Sequence, residues 1–203
     1  MIKHTASVGS FVIAVLAMGG SSLGGAGIGV SGTVKVAGLS SSADAVVYVQ
    51  QAPGTFTAPA KPVDTDQRNF QFIPHVLPVV LGTTVRFLNS DATPHNVFSP
   101  DNEKYNLGTW PQGQTKDYTF RTCARAPCVY TQLCRVHTEM EGYVVVLQNL
   151  HFAVTAKDGH YDIRDVPPGS YTLGVWHAKA KSASKPVTVD AGKPATVDFT
   201  IGR

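Results

Sequence analysis

One short stretch of this chain concentrates metal-binding side chains. Cys134, His137 and Met140 follow one another at three-residue steps in Tyr130-Thr-Gln-Leu-Cys134-Arg-Val-His137-Thr-Glu-Met140-Glu-Gly142, and a second imidazole, His95, lies well upstream in Thr-Pro-His95-Asn96. A thiolate and two imidazoles are the strong in-plane donors of a trigonal copper centre, and a thioether is its long, weak axial donor. Donors so close in sequence reach one ion only from a tight loop, so His95 must come in from a separate strand. Zinc is the competing metal for the thiolate and imidazoles. The other two methionines, Met1 and Met18, fall in a leader-like beginning, which leaves Met140 as the one thioether of the mature chain.

The elements that must hold these donors read as strands. Thr33–Val36 and Ala45–Val49 are short β runs, after which Pro53, Gly54, Pro59 and Pro62 break the pattern as a linker. Runs at 69–73, 77–81, 84–89, 96–98, 115–120, 129–133 and 143–147 then have the number and length of a Greek-key sandwich. A helical turn is expected within 101–108. The last fifty or so residues give further strands at 152–155, 161–166, 171–176, 186–190 and 195–201, punctuated by Asp158-Gly159, Pro167-Pro168-Gly169 and Ala191-Gly192. No long segment has helical periodicity, so the fold class is all-β.

Over residues 60–148 the chain resembles the cupredoxins, the small blue-copper proteins. The resemblance rests on the ligand set in its order, on Gly82-Thr-Thr-Val-Arg-Phe-Leu-Asn89 before His95, on Asn96 after it, and on Gly142-Tyr-Val-Val-Val after Met140. The Cys-x2-His-x2-Met loop looks most like amicyanin. The resemblance implies one type 1 copper ion held by His95, Cys134, His137 and Met140. It further implies a backbone N–H from Asn96 to the thiolate, and an exposed His137 edge as the port where a dehydrogenase, cytochrome or oxidase docks. This chain departs from the pattern in placing Arg135 and Thr138-Glu139 beside that port, so docking is expected to depend on salt.

A second resemblance, to the carboxypeptidase regulatory-like β-sandwich, rests on Asp158-Gly-His-Tyr161 followed by Pro167-Pro-Gly-Ser-Tyr171-Thr-Leu. In that module a Gly-Thr-Val and Ala-Val-Val-Tyr-Val unit precedes the Asp-Gly hairpin, and this chain has both at residues 32–50. Two strands do not stand alone, and five in so few residues are marginal. The expected organisation is therefore a cupredoxin inserted into a discontinuous sandwich of 32–50 and 151–203, the alternative being a module of 151–203 alone.

Bulk properties narrow the function. At 203 residues, 15% charged and with a net charge of +3, the chain has neither a nucleic-acid footprint nor a polybasic membrane patch. Residues 1–30 read as a signal peptide: Lys3, a short apolar run to Met18, then small residues. The apolar run is too short to span a bilayer, so no membrane span is expected after cleavage and the location is periplasmic or secreted. Cys123 and Cys128 share one loop and are expected as a disulfide in an oxidising compartment, two buried thiols being the alternative. A dinuclear copper site needs a closer cysteine pair than Cys128 and Cys134 offer. His75 and His177 read as ordinary histidines. No Ser-His-Asp set, paired carboxylates or phosphate loop appears, so the expected function is single-electron transport and not catalysis. The alternatives are a copper-binding structural or storage module, and a subunit of a copper oxidoreductase.

Overall fold

The computed structural model describes residues 28–203. The expected signal peptide lies outside the described residues, save for its end. The described residues are all-β, in seventeen strands with no helix. The described residues begin with β1 (Val30–Val36) and β2 (Val46–Val49). They continue through β3 (Val63–Arg68), β4 (Gln71–Ile73), β5 (Val76–Val80), β6 (Thr84–Asn89), β7 (His95–Ser99), β8 (Tyr105–Trp110), β9 (Thr115–Thr119), β10 (Cys128–Leu133) and β11 (Glu141–Leu147). They close with β12 (Phe152–Val154), β13 (His160–Ile163), β14 (Gly169–His177), β15 (Ala180–Val189), β16 (Ala195–Thr196) and β17 (Phe199–Ile201).

These strands form four sheets. One runs β5-β11-β10-β7-β8 and faces another, β4-β3-β6-β9, across a core of Val85, Phe87, Val97, Trp110, Phe120, Tyr130, Val144 and Val146. The first and last strands of the chain make the other two. β1 pairs with β13, β16 and β17, and β2 lies between β12 and β14, with β15 outside. Their core is Val30, Val34, Val47, Val49, Tyr161, Ile163, Leu173, Val175 and Phe199.

Strand parity explains how the core is filled and how it delivers the site. Successive side chains of a strand point to opposite faces. On β10 the residues Cys128, Tyr130 and Gln132 are buried, and Cys134, next in the same parity just past the strand end, is buried too. The rule that packs Tyr130 inward therefore also sends the thiol inward.

Several sequence expectations are corrected. No helical turn occupies 101–108; turns at 101–103 lead into β8, which pairs with β7. The run at 69–73 is not one strand, because Asn69 and Phe70 form the turn between β3 and β4. β3 is not among the expected strands, since Val-Asp-Thr-Asp-Gln-Arg looks like a polar loop, yet it lies inside its sheet between β4 and β6, parallel to β6, and buries Thr65 and Gln67. β15 starts earlier than 186, at Ala180, because its Lys-Ser-Ala-Ser-Lys half is a solvent-facing ribbon without the apolar alternation that marks a strand.

Candidate metal centre

The four expected donors come from two places on one sheet. His95 opens β7, which receives its chain from β6 through the turn at 90–94, and Cys134, His137 and Met140 lie on the loop between β10 and β11. Cys134 Sγ stands 3.9 Å from Nδ1 of His95 and 3.9 Å from Nδ1 of His137, and the two Nδ1 atoms are 3.0 Å apart. A triangle with those sides has its centre about 2.1 Å from each corner, a metal–nitrogen distance and only slightly short for metal–sulfur. The three residues fit an ion in the trigonal plane. Met140 is buried in the same apolar cluster as Cys134, its N–H donating to the His137 carbonyl at 3.0 Å to close the loop. A thioether beside a thiolate favours copper over zinc, whose protein ligands are thiolate, imidazole and carboxylate.

Burial grades the donors. His95 and Cys134 are buried and His137 is only half-buried, so one imidazole edge is turned toward the surface. Glu139 and Arg135 are exposed on the same loop.

Three further side chains lock the donors. Asn96 donates its backbone N–H to Cys134 Sγ at 3.4 Å. Its side chain donates to Gly108 O at 2.7 Å and Asn106 Oδ1 at 2.9 Å, and accepts from the Arg135 N–H at 3.3 Å. The loop after Cys134 is thus tied to β7 and β8 at once. Asp91, which the sequence reading missed, holds His95: its Oδ2 pairs with Nε2 of that ring at 2.8 Å, leaving Nδ1 to face the other donors. A carboxylate behind a ligating imidazole fixes its tautomer and raises its basicity. Burial pushes the Asp91 carboxyl up, but hydrogen bonds from the Phe70 N–H, the His95 ring and the Asn69 N–H outweigh that and hold it below the usual aspartate value. Asn89, buried at the end of β6, accepts from the Asp91 N–H and donates to Thr93 O and Trp110 O, so the turn that carries Asp91 is itself fixed.

Gly142 completes the local fold. A Cβ there would meet the Phe72 side chain at 2.7 Å, so only glycine lets the chain leave Met140 against β4.

The remaining candidates lie elsewhere. Cys123, on the loop before β10, and Cys128, the first residue of β10, are joined in a disulfide, and Cys134 is the one free cysteine among the described residues. His75 is not part of the donor cluster; its Nδ1 pairs with Asp44 at 2.8 Å. His177 is buried, its Nδ1 accepting from the Lys179 N–H, and burial lowers its pKa.

The carboxypeptidase regulatory-like domain family matches residues 137–202. Curated protein sequences give no match. Among solved structures, the chain is similar to a copper-containing nitrite reductase from Thermus scotoductus SA-01 at 26% identity and TM-score 0.41, over 50% of this chain and 26% of that one. The chain thus spans about a quarter of the length of that reductase. It is also similar to amicyanin, in the oxidised P94A variant, at 26% identity and TM-score 0.38, over 42% of this chain and 81% of that one. A purple cupredoxin from Nitrosopumilus maritimus follows at 24% identity and TM-score 0.36, over 41% of this chain and 97% of that one.

Its structural neighbours thus include amicyanin and a purple cupredoxin. The pair of sheets built from β3 to β11 carries all four expected donors. The regulatory-like match starts at His137, inside the donor loop, and so takes in β11 before reaching β12.

Proposed function

We propose that this protein is a type 1 copper protein that passes single electrons between redox partners. The observation that carries the reading is the triangle of Cys134 Sγ and the two Nδ1 atoms, of a size that suits one ion, with Met140 buried in the same cluster as Cys134. Bound there, copper would supply one-electron chemistry between its two oxidation states.

The chain's own residues account for the rest. Asn96 and Asp91 set the direction of the thiolate and of the His95 ring before any ion arrives. Because β7, β10 and β11 are hydrogen-bonded strands of one sheet, the donor positions change little with charge. His137 offers the exposed edge through which a partner would couple, and Glu139 and Arg135 beside it would give docking its charge preference. The domain division belongs to the same proposal: residues 60–148 as the metal-binding unit, carried within a sandwich of 32–50 and 151–203. Supporting it is the pairing of β1 and β2 with strands of the C-terminal part. Export to a periplasm or the cell exterior is proposed with it, supported by the Cys123–Cys128 disulfide. No helix among the described residues is long and apolar enough to cross a membrane.

The test is the visible spectrum of the purified protein with Cu(II). An intense thiolate-to-copper charge-transfer band is expected, and Cys134→Ser should abolish it. A colourless copper-loaded protein would point instead to a storage or structural module.

A further inference from the structure

Phe70 occupies a position where the backbone gives a large side chain no advantage. β3 turns back into β4 through Asn69 and Phe70 alone, with φ of +54° and +57°. A two-residue hairpin turn of this hand favours Asn followed by Gly, because both residues take the left-handed conformation. Asn69 obeys the preference and Phe70 does not, since its Cβ makes that region costly. The turn is held from outside by Asp91, whose Oδ1 accepts from the Asn69 N–H at 2.7 Å and whose Oδ2 accepts from the Phe70 N–H at 3.0 Å. Oδ2 is also the atom that pairs with His95 Nε2. One carboxylate therefore anchors both the metal-side imidazole and the turn.

The ring of Phe70 is where that anchoring leads. It is 44% exposed, yet its centroid lies 4.8 Å from that of His137 and 5.7 Å from that of His95, edge-on to both. Both imidazoles also contact the Cys134 thiol, so a partly exposed aromatic ring packs directly on the donor pair. Burying hydrophobic area alone would favour placing such a ring in the core. Strained backbone at a functional site is a known cost of fixing a side chain where chemistry needs it.

We propose that Phe70 controls access to the metal centre, its ring packed beside the His95–His137 pair and kept there by Asp91 while part of His137 stays exposed, so that water and small reagents reach Cys134 and a bound ion slowly. The proposal deepens the copper reading, but its first test does not depend on metal. In the metal-free protein Cys134 is the only free thiol among the described residues, and its alkylation by iodoacetamide under native conditions reports the cover directly. Phe70→Ala is expected to speed alkylation at least tenfold at an unchanged urea midpoint. Phe70→Leu should stay within about threefold of wild type, and Asp91→Ala, which frees the turn but leaves the ring, should be fast. The second test is extraction of copper from the loaded protein by a chelator, which should order the variants in the same way. An alkylation rate for Phe70→Ala within twofold of wild type overturns the proposal. So does a fast Asp91→Ala beside a slow Phe70→Ala, because Asp91 would then act through His95 alone. If the wild-type protein shows no charge-transfer band, the copper reading fails while the alkylation series still judges the cover.

Discussion

Asn96 is a single side chain shared by three backbone segments. Its amide spans β7, β8 and the start of the donor loop, while its own N–H meets the Cys134 sulfur. Replacement by alanine leaves the backbone contact and removes three side-chain hydrogen bonds, each contributing about 0.5–1.5 kcal/mol. Asn96→Ala should therefore lower the stability of the metal-free protein by about 2 kcal/mol in urea unfolding, and broaden the charge-transfer band of the copper form. Charge at the port is tested separately. Glu139→Lys is expected to slow electron exchange with a cationic one-electron oxidant several-fold at low ionic strength. The difference should fade near 1 M salt, where the screening length is about 3 Å; equal rates at low salt would remove Glu139 from docking. His95, Cys134 and His137 were legible because their types and order are the chemistry, and the Asn96 contact because the resemblance implies it. Asp91 was not: in Asn-Ser-Asp it looks like any turn residue, and its role comes from amides about twenty residues earlier that the fold brings beside it.

At the scale of elements, the disulfide-bearing end of the sandwich built from β3 to β11 is organised by one carboxylate. Glu103, in the turn before β8, accepts hydrogen bonds from the Tyr118 hydroxyl on β9, from the Thr122 hydroxyl and N–H, and from the Arg121 N–H. It thus joins the start of one edge strand to the loop that leads to Cys123. Burial raises the Glu103 carboxyl, but the bonds from Thr122 and Tyr118 prevail and hold it below its ordinary value. A group depressed on folding stabilises fully above its unfolded pKa, about 4.3 for glutamate, and that contribution is lost as pH falls through the folded value. Urea midpoints measured from about pH 6 to pH 3 should therefore fall more steeply in the wild type than in Glu103→Gln. Parallel slopes would show that Glu103 contributes nothing to acid sensitivity. Strands with apolar alternation, such as β6 and β10, could be read from sequence. β8, with Gly108 at φ +79° inside it, could not, and neither could β3, whose side chains are nearly all polar.

At the scale of the whole molecule, two runs without alternation mark where the halves meet. Val46-Val-Tyr-Val49 and Val144-Val-Val-Leu147 are buried on both faces, as a strand must be when each side of its sheet is covered. Val47 and Val49 of β2 point into one core, and Val144 and Val146 of β11 into the other. Their alternates, Val46 and Tyr48 with Val145 and Leu147, meet in a third cluster between the two sandwiches, joined by Val76 and flanked by Tyr143, Phe152 and Trp176. The rings of Tyr143 and Trp176 meet edge-on at 5.3 Å, and the His75–Asp44 pair crosses at the margin. The chain also passes between the sandwiches twice, at residues 50–62 and 148–151, so neither half can leave without dragging both connections. Coupled unfolding follows from that geometry: far-UV dichroism, which sees both sandwiches, and the copper charge-transfer band, which sees one, should lose signal at the same urea concentration. Trp176→Ala removes a partly buried indole from the shared cluster, where full burial would make the loss about 3–5 kcal/mol. It is expected to part the two transitions, the dichroism beginning to fall while the band persists. If the transitions separate already in the wild type, the third cluster does not bind the halves into one cooperative unit.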